Sequence, residues 1–416
     1  MGKEFTVPQA ELDRQRDYAD KVRAVLHTRY PLQPPKAFVH TYGCQGNVAD
    51  SERIKGILVS VGYVMTDTPD DADFILFNTC AIREHAEDRV FGNVGALKKL
   101  KEAKPGLLIA LCGCMMQQEH VVAKIKKSYP FVGLVFGTHV LHRLPELLAK
   151  ALCTGKRVFC TDPSDGVIAE GLPVCRDKDE NAWLPIMYGC NNYCSYCVVP
   201  LVRGRERSRD PEIVLAEARQ LVADGYKKIT LLGQNVNSYG KGDESGVDFP
   251  ELVRRLDAID GDFTFDFMTS HPRDCSFELL DVLAASRHYG RHLHLPVQSG
   301  SDEILKRMNR HYDRAHYLEL VHYARKVMPD VDLTTDIIVG FPGETYDDFL
   351  QTLSLVKEVR YGSMFTFIFS PRVGTAAAAY DDPVDKAEKT KWFLELLAVQ
   401  EQIQKENDAP CIVDKK

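Results

Sequence analysis

The sequence predicts an α/β protein in two parts: an open parallel sheet flanked by helices, then a (β/α)6 partial barrel. Three observations carry this expectation. Short apolar runs alternate with amphipathic stretches through most of the 416 residues, the signature of repeated βα units. One stretch, 151–182, breaks the alternation with Gly155, Pro163, Gly166, Gly171 and Pro173, and reads as a linker and edge region. The length also exceeds what one hydrophobic core usually serves.

Residues 1–35 read as a polar helical extension closed by Pro31, Pro34 and Pro35. The first α/β domain, 36–150, has strand patterns at 36–42, 74–78, 107–111 and 134–136, with amphipathic stretches at 51–61 and 83–101. Three of the strands run directly into a cysteine: Cys44, Cys80 and Cys114, spaced 36 and 34 residues apart. Ligands gather at the carboxyl ends of strands in open α/β sheets, so these three thiols are expected to meet and hold one cluster. Cys112 falls inside its strand and reads as core, as buried free cysteines often are. Cys153, Cys160 and Cys175 have no metal-like spacing and read as ordinary thiols.

The second domain, 183–405, shows six strand patterns, at 184–188, 228–232, 263–268, 292–296, 332–339 and 364–369. Helical patterns lie between them at 213–223, 249–257, 277–284, 317–327 and 346–359, with Asp210-Pro211 as a helix start. A further helix, around 391–405, precedes a tail, 406–416. Barrels carry their reactive groups at strand carboxyl ends. Polar residues recur there: Gln234, Asn235 and Asn237; Ser270, His271 and Arg273; Gln298 and Ser299; Asp336; Ser370 and Arg372. Turn chemistry accounts for Gly300, Gly340 and Gly343 without any function.

The loop after the first barrel strand holds Cys190, Cys194 and Cys197, a C-x3-C-x2-C motif. With 12 cysteines in the chain, chance supplies roughly 0.01 such triplets, so the spacing carries information. Three thiolates hold three irons of a 4Fe–4S cube and leave the fourth iron open for a ligand. Structural zinc is the alternative. It needs four closed ligands, and the next cysteine, Cys275, supplies no second C-x2-C pair.

Composition narrows the class. Hydrophobic residues at 44% and charged residues at 27% are ordinary for a soluble globular chain. The longest apolar run, near 107–116, is too short to span a bilayer, and the first five residues have no apolar signal segment. Cysteines in metal-like spacing point to a reducing cytoplasm. A net charge of −7 argues against a generically basic nucleic-acid binder but leaves room for local patches.

The cysteine motif, with Tyr196 in its aromatic position, resembles that of the radical S-adenosylmethionine (SAM) superfamily. That resemblance implies a 4Fe–4S cluster whose open iron takes the amino and carboxylate groups of SAM. One-electron reduction then yields a 5′-deoxyadenosyl radical. Residues 36–400 together resemble the methylthiotransferase family within this superfamily. The strings that carry the likeness begin with Thr41-Tyr42-Gly43-Cys44-Gln45-Gly46-Asn47-Val48-Ala49-Asp50-Ser51-Glu52, Asn78-Thr79-Cys80 and Gly113-Cys114-Met115. They continue with Val202-Arg203-Gly204-Arg205-Glu206-Arg207-Ser208-Arg209 and Leu232-Gly233-Gln234-Asn235-Val236-Asn237-Ser238-Tyr239-Gly240. The first string is closest to the branch acting on dimethylallyladenosine in tRNA, except that Gly46 stands where a methionine is usual.

The family resemblance implies two 4Fe–4S clusters, an auxiliary one on Cys44, Cys80 and Cys114 and a SAM-binding one on Cys190, Cys194 and Cys197. One SAM would donate a methyl group to sulfur on the auxiliary cluster; a second would supply the radical that takes hydrogen from adenine C2. Tyr196, Gln234, Asn235, Ser270, Gln298 and Asp336 become candidates for the cofactor pocket. Arg203, Arg205, Arg207, Arg209 and Arg273 become candidates for RNA or substrate contact, since arginine forks suit phosphate. An internal salt-bridge network is the other reading of the arginine run. Implied partners are tRNA, a low-potential electron donor such as flavodoxin or ferredoxin, and a sulfur source. A cytoplasmic monomer with no membrane contact is expected. The RNA-binding β-barrel with which the family usually closes is not matched by 406–416. Alternatives are methylthiolation of threonylcarbamoyladenosine in tRNA, of a ribosomal protein side chain, or a non-catalytic iron–sulfur electron carrier.

Overall fold

The computed structural model describes residues 5–81, 84–161, 166–177, 180–243 and 245–408. Most of the expected tail, from 409 onward, lies outside the described residues. The chain divides into two compact units, Met1–Cys190 with Val198–Arg207, and Asn191–Cys197 with Ser208–Lys416.

The first unit is built on six parallel strands: β1 Lys36–Thr41, β2 Val64–Met65, β3 Phe74–Thr79, β4 Leu108–Gly113, β5 Leu134–Phe136 and β6 Val158–Cys160. Their order is β2-β1-β3-β4-β5-β6. Every residue of β3 is buried, as expected of a parallel sheet covered on both faces. Alternation assigns the two faces. Phe74 and Leu76 join Ala110, Cys112, Leu134 and Phe136 in one core, with α1 Gln9–Arg29, α2 Gln45–Ser60 and α5 Leu144–Thr154. Ile75 and Phe77 join Ile109, Leu111 and Val135 in the other, with α3 Glu84–Ala103 and α4 Glu119–Ser128.

Two features depart from the sequence expectation. The stretch 158–160, read within a linker and edge region, is a core-bearing strand with Cys160 buried. The N-terminal extension is not an appendage: Ala19, Val22 and Leu26 of α1 lie in the sheet core, and Gln15 bonds buried Glu146 on α5. Cys112 is core, as predicted. This unit also carries β7 Asn181–Pro185, β8 Met187–Tyr188 and helix α6 Val199–Arg203. Strand β9, Arg207–Ser208, follows.

The second unit holds β10 Lys228–Leu232 parallel to β11 Thr264–Phe267. It also holds β12 His292–His294, β13 Asp332–Val339 and β14 Ser363–Ile368, parallel in that order. A parallel bridge from Phe265 to Tyr289 joins the two groups. Helices α7 Pro211–Ala223, α8 Phe249–Asp257, α9 Phe277–Ala285, α10 Asp302–Arg307, α11 Arg314–Val327, α12 Tyr346–Val359 and α13 Lys386–Asp408 alternate with the strands. Asp210, Asp248, Ser276, Ser301, Asp313 and Thr345 each cap a helix start with a side-chain oxygen, satisfying otherwise orphaned N–H groups. On β13, Leu333, Thr335, Ile337 and Val339 are fully buried, while Asp336 and Ile338 on the opposite face are only partly so. These are parallel βα units with one inner face, the architecture the sequence predicted.

Candidate active site

In the first unit Cys44, Cys80 and Cys114 converge. Cys44 is the N-cap residue of α2, Cys80 follows β3, and Cys114 opens a 3-10 turn after β4. The Cys44 and Cys114 thiols both point at Asn47 Oδ1, at 3.6 and 3.9 Å. A side chain added to Gly43 would sit 3.0 Å from the Cys80 sulfur, and one added to Gly46 would sit 3.6 Å from the Cys44 sulfur. Gly43 also has φ 119, so glycine is required there twice over.

Asn47 Nδ2 donates to Thr79 O at 2.9 Å and anchors the group to the end of β3. Arg203 completes it: Nε donates to Cys114 Sγ at 3.0 Å, one terminal nitrogen pairs with Asp50 at 2.7 Å, and the other donates to Asn47 Oδ1 at 3.1 Å. Burial pushes the Cys114 thiol up to about 12, Arg203 pulls it back, and the adjoining Cys80 and Cys44 push it up further. The buried Cys114 thiol needs added positive charge to become a thiolate. A bound iron cluster would supply it. Among the described residues no three His, Cys, Asp or Glu side chains group closely enough to hold a single metal ion. A cube needs its thiolates spread, one to each iron.

Around the other motif, Cys190 and Cys194 are buried and Cys197 is partly so. Cys190 N donates to Gly204 O at 3.2 Å in the first unit. In the second unit the loop 191–197 is clamped to the end of α10. Ser195 donates from its amide to Met308 O and from its hydroxyl to Arg307 O, and Asn309 Nδ2 donates to Tyr193 O. Buried Arg310 donates to Cys194 Sγ at 3.4 Å and to the Tyr196 hydroxyl at 3.3 Å. Burial works against the Arg310 charge, but Tyr196, Tyr312 and Cys194 hold it on, placing a fixed cation against the loop.

The polar strand ends fall into two groups. Some are occupied. Ser270 Oγ donates to His294 O, and Arg273 and Lys241 both pair with Asp274. Burial works against the Asp274 charge, yet hydrogen bonds from Arg273, Lys241 and Asn235 hold it down at about 2. Gln298 uses its backbone to bridge β13, at φ 72. Asp336 lies 3.6 Å from His294. Others are buried and unsatisfied: Asn235 Oδ1, both amide atoms of Asn237, and His271 Nε2. His271 Nδ1 accepts from Arg273 N, so in the neutral ring Nε2 carries the hydrogen. Burial and Arg310 push this ring down to about 2, so it is neutral at working pH. The two loops are stitched by Val236 N donating to Thr269 O, with Thr269 strained at φ 66. Each unpaired buried group costs about 1–3 kcal/mol, which a ligand would recover. The cluster suits a polar ligand such as the amino-acid or adenine part of SAM.

The arginine run does not form one surface. Arg203, Arg207 and Arg209 are buried, and of the four only Arg205 is exposed. Arg207 donates to the carbonyls of Arg203 and Arg205, and Arg209 pairs with Glu217 at 2.9 Å. Three of the four guanidinium groups expected to contact RNA are thus engaged by internal partners, as the salt-bridge reading of the run expects.

Residues 36–137 match the family model described as Uncharacterized protein family UPF0004, and residues 184–356 match that of the Radical SAM superfamily. The chain is 50% identical over 363 residues to a tRNA-2-methylthio-N(6)-dimethylallyladenosine synthase of Caldicellulosiruptor saccharolyticus, covering 87% of this chain and 77% of that protein. It is 50% identical over 379 residues to the synthase of that name from Clostridium botulinum, covering 91% and 84%. The chain belongs to this synthase family. It is a radical SAM enzyme and a transferase. Among solved structures, the synthase fold is similar to the radical SAM methyltransferase TsrM from Kitasatospora setae (TM-score 0.61, 15% identity, 83% of this chain and 77% of that one). It is also similar to the cobalamin-dependent radical enzyme OxsB (TM-score 0.55, 12% identity, 92% and 62%). These two show a shared fold.

Within this synthase, sequence reasoning did not assign roles to Asn47, Asp50, Arg203 as a thiol partner, or Arg310. Asn47 and Asp50 stand in the string around Cys44, which was the available signal. Arg310 had none.

Proposed function

We propose that this synthase adds a methylthio group at adenine C2 of an N6-dimethylallylated adenosine beside the tRNA anticodon. Cys190, Cys194 and Cys197 hold the SAM-binding 4Fe–4S cluster, and Cys44, Cys80 and Cys114 hold the auxiliary cluster. The grouping of Cys44 and Cys114 on Asn47, with Arg203 on Cys114 and Cys80 packed against Gly43, is the observation that carries the reading. An electron carrier has no need of a separately built three-thiol site in addition to a motif that leaves an iron open.

When bound, the clusters and SAM supply the electron, the radical and the methylthio group. The chain does the rest. Arg203 sets its charge against the Cys114 sulfur and fixes Asn47. Arg310 does the same for Cys194 and holds Tyr196 in place. Asn235, Asn237 and His271 offer neutral donors and acceptors to SAM or to the target base, and Gln234, Ser270, Gln298 and Asp336 complete the strand-end rim. Arg205, which is exposed, and Arg273, which is partly exposed beside Asp274, are the cations that would meet RNA. An aromatic C–H is beyond acid–base removal, so the residues serve to place the reacting carbon and exclude water. The reaction needs a low-potential electron donor and a sulfur source, and the enzyme works as a cytoplasmic monomer. No helix among the described residues is long and apolar enough to cross a membrane.

The test is anaerobic reconstitution with iron and sulfide, then reduction in the presence of SAM and dimethylallylated tRNA. Nucleoside mass spectrometry should show one added methylthio group on the target adenosine. Release of 5′-deoxyadenosine with no change in the nucleoside would refute the substrate, and absence of both would refute the chemistry.

A further inference from the structure

Two large aromatic side chains on β14 stay half open to solvent: Phe365 at 55% and Phe367 at 50%. They lie on one face of the strand, since alternate residues share a face. The pairing register identifies it. Phe365 stands beside Asp336 and Phe367 beside Ile338 on β13, on the face opposite the fully buried Leu333, Thr335, Ile337 and Val339. The Phe365 ring meets the His294 ring edge-on at 6.2 Å, and His294 in turn approaches Asp336 at 3.6 Å. Ile338 packs on the same small core as Tyr196 of the cluster loop. Phe365 thus extends, through His294 and Asp336, the inner face on which the candidate pocket lies, and Phe367 follows it on the same strand face.

Leaving two phenylalanines half exposed on an inner strand face is costly unless something apolar covers them. We infer that Phe365 and Phe367 form the subsite for the apolar five-carbon N6 substituent of the target adenosine, and so determine preference for the prenylated base. The inference rests on the function proposed above. The chemistry fits: the substituent has no hydrogen-bonding atom, and the only demand on its subsite is apolar area. Aromatic rings supply that area with little conformational cost, and a purine carrying the substituent stacks on them as extruded bases do. Removing apolar contact with a substituent of this size should erode discrimination by at least about tenfold.

The test uses the full chain, free of metal, and two fluorescent anticodon stem-loops at matched salt, one carrying N6-dimethylallyladenosine at the target position and one carrying plain adenosine there. Anisotropy gives the affinity ratio of the prenylated over the plain stem-loop. Phe365→Ala combined with Phe367→Ala should lower that ratio at least about tenfold, while Phe365→Leu retains most of it. Leu394→Ala, at an exposed apolar residue of α13, should leave it unchanged. A retained ratio in the double variant overturns the inference, as does an equal loss for both stem-loops, which would mean general stacking or damage to the fold. Sedimentation that shows the parent self-associating and the double variant monomeric, with the ratio unchanged, would assign the rings to a second copy and overturn it too. If the parent binds neither stem-loop, the tRNA reading itself fails.

Discussion

Arg203 is the residue on which the first unit's thiol site turns, and its removal gives a sharp test. Its side chain is 8% exposed and that of Asp50 is 10% exposed, with 2.7 Å between them. Little solvent is available to replace either partner. Arg203→Met takes three donors away and strands a buried carboxylate, which should destabilise the unit by about 3–5 kcal/mol. Asp50→Leu alone strands the cation and should cost about as much. The double variant leaves no buried charge. Only Asn47 Oδ1 and the Cys114 thiol lose a partner, so the cost should return to about 1–3 kcal/mol. The coupling energy from the cycle should then exceed about 2 kcal/mol. Native-state hydrogen exchange at the β3 and β4 amides reads the first unit without interference from the second. Additive single effects, or an Arg203→Met cost under about 1 kcal/mol, would show that the pair is screened and the site is not dry.

Three further outcomes are expected. Replacing Cys44, Cys80 and Cys114 together by alanine, or Cys190, Cys194 and Cys197 together, should each remove about four irons from the reconstituted enzyme; a loss confined to one triplet would leave a single-cluster protein. Burial holds the Glu344 carboxyl up at about 8, despite backbone N–H groups donated by Gly340 and Phe341. A folded value raised above the unfolded one of about 4.3 means stability that is full at lower pH and is lost as pH rises through about 8. Wild-type melting temperature should therefore fall relative to Glu344→Gln between pH 5 and 8, and parallel profiles would refute this. Asn237→Ala removes two buried unsatisfied atoms. Stability of the metal-free chain should hold or rise by up to about 1 kcal/mol while SAM affinity, by equilibrium dialysis, falls at least fivefold. A stability loss above about 2 kcal/mol would make the amide structural.

Short-range pattern made much of this legible. Strand β13 was readable to the residue because a run with six Leu, Thr, Ile and Val residues in eight precedes a Gly-Phe-Pro-Gly turn. Cys112 was separable from Cys114 because one lies within the strand and the other beyond its end. Helix α5 and strand β6 were not read. Gly155, the left-handed C-cap of α5, was taken as linker punctuation rather than a helix stop. The network of Asn47, Asp50 and Arg203 was not legible at all: its partners are 153 and 156 residues apart, and no periodicity encodes such a pairing. The orphaned atoms of Asn237 and His271 are a property of three-dimensional surroundings, and the sequence reports only their residue types.

The arginine run shows why residue type alone misleads. Arg203, Arg205, Arg207 and Arg209 alternate as a strand would to line one face with charge, which suggests a phosphate track. Only β9, two residues long, is extended there, and α6 ends at Arg203, so the alternation is not carried through the run. Each buried guanidinium faces a different demand. Arg203 meets a carboxylate and a thiol, Arg207 meets carbonyls and the Tyr188 ring, and Arg209 meets Glu217. These three arginines tie the segment that follows the cysteine motif to internal partners. A chain of net charge −7 has weak non-specific attraction to RNA. Its selectivity for a modified adenosine must therefore come from contacts with the base itself, which is where the unsatisfied amides of the β10 loop and the open rings of β14 stand ready.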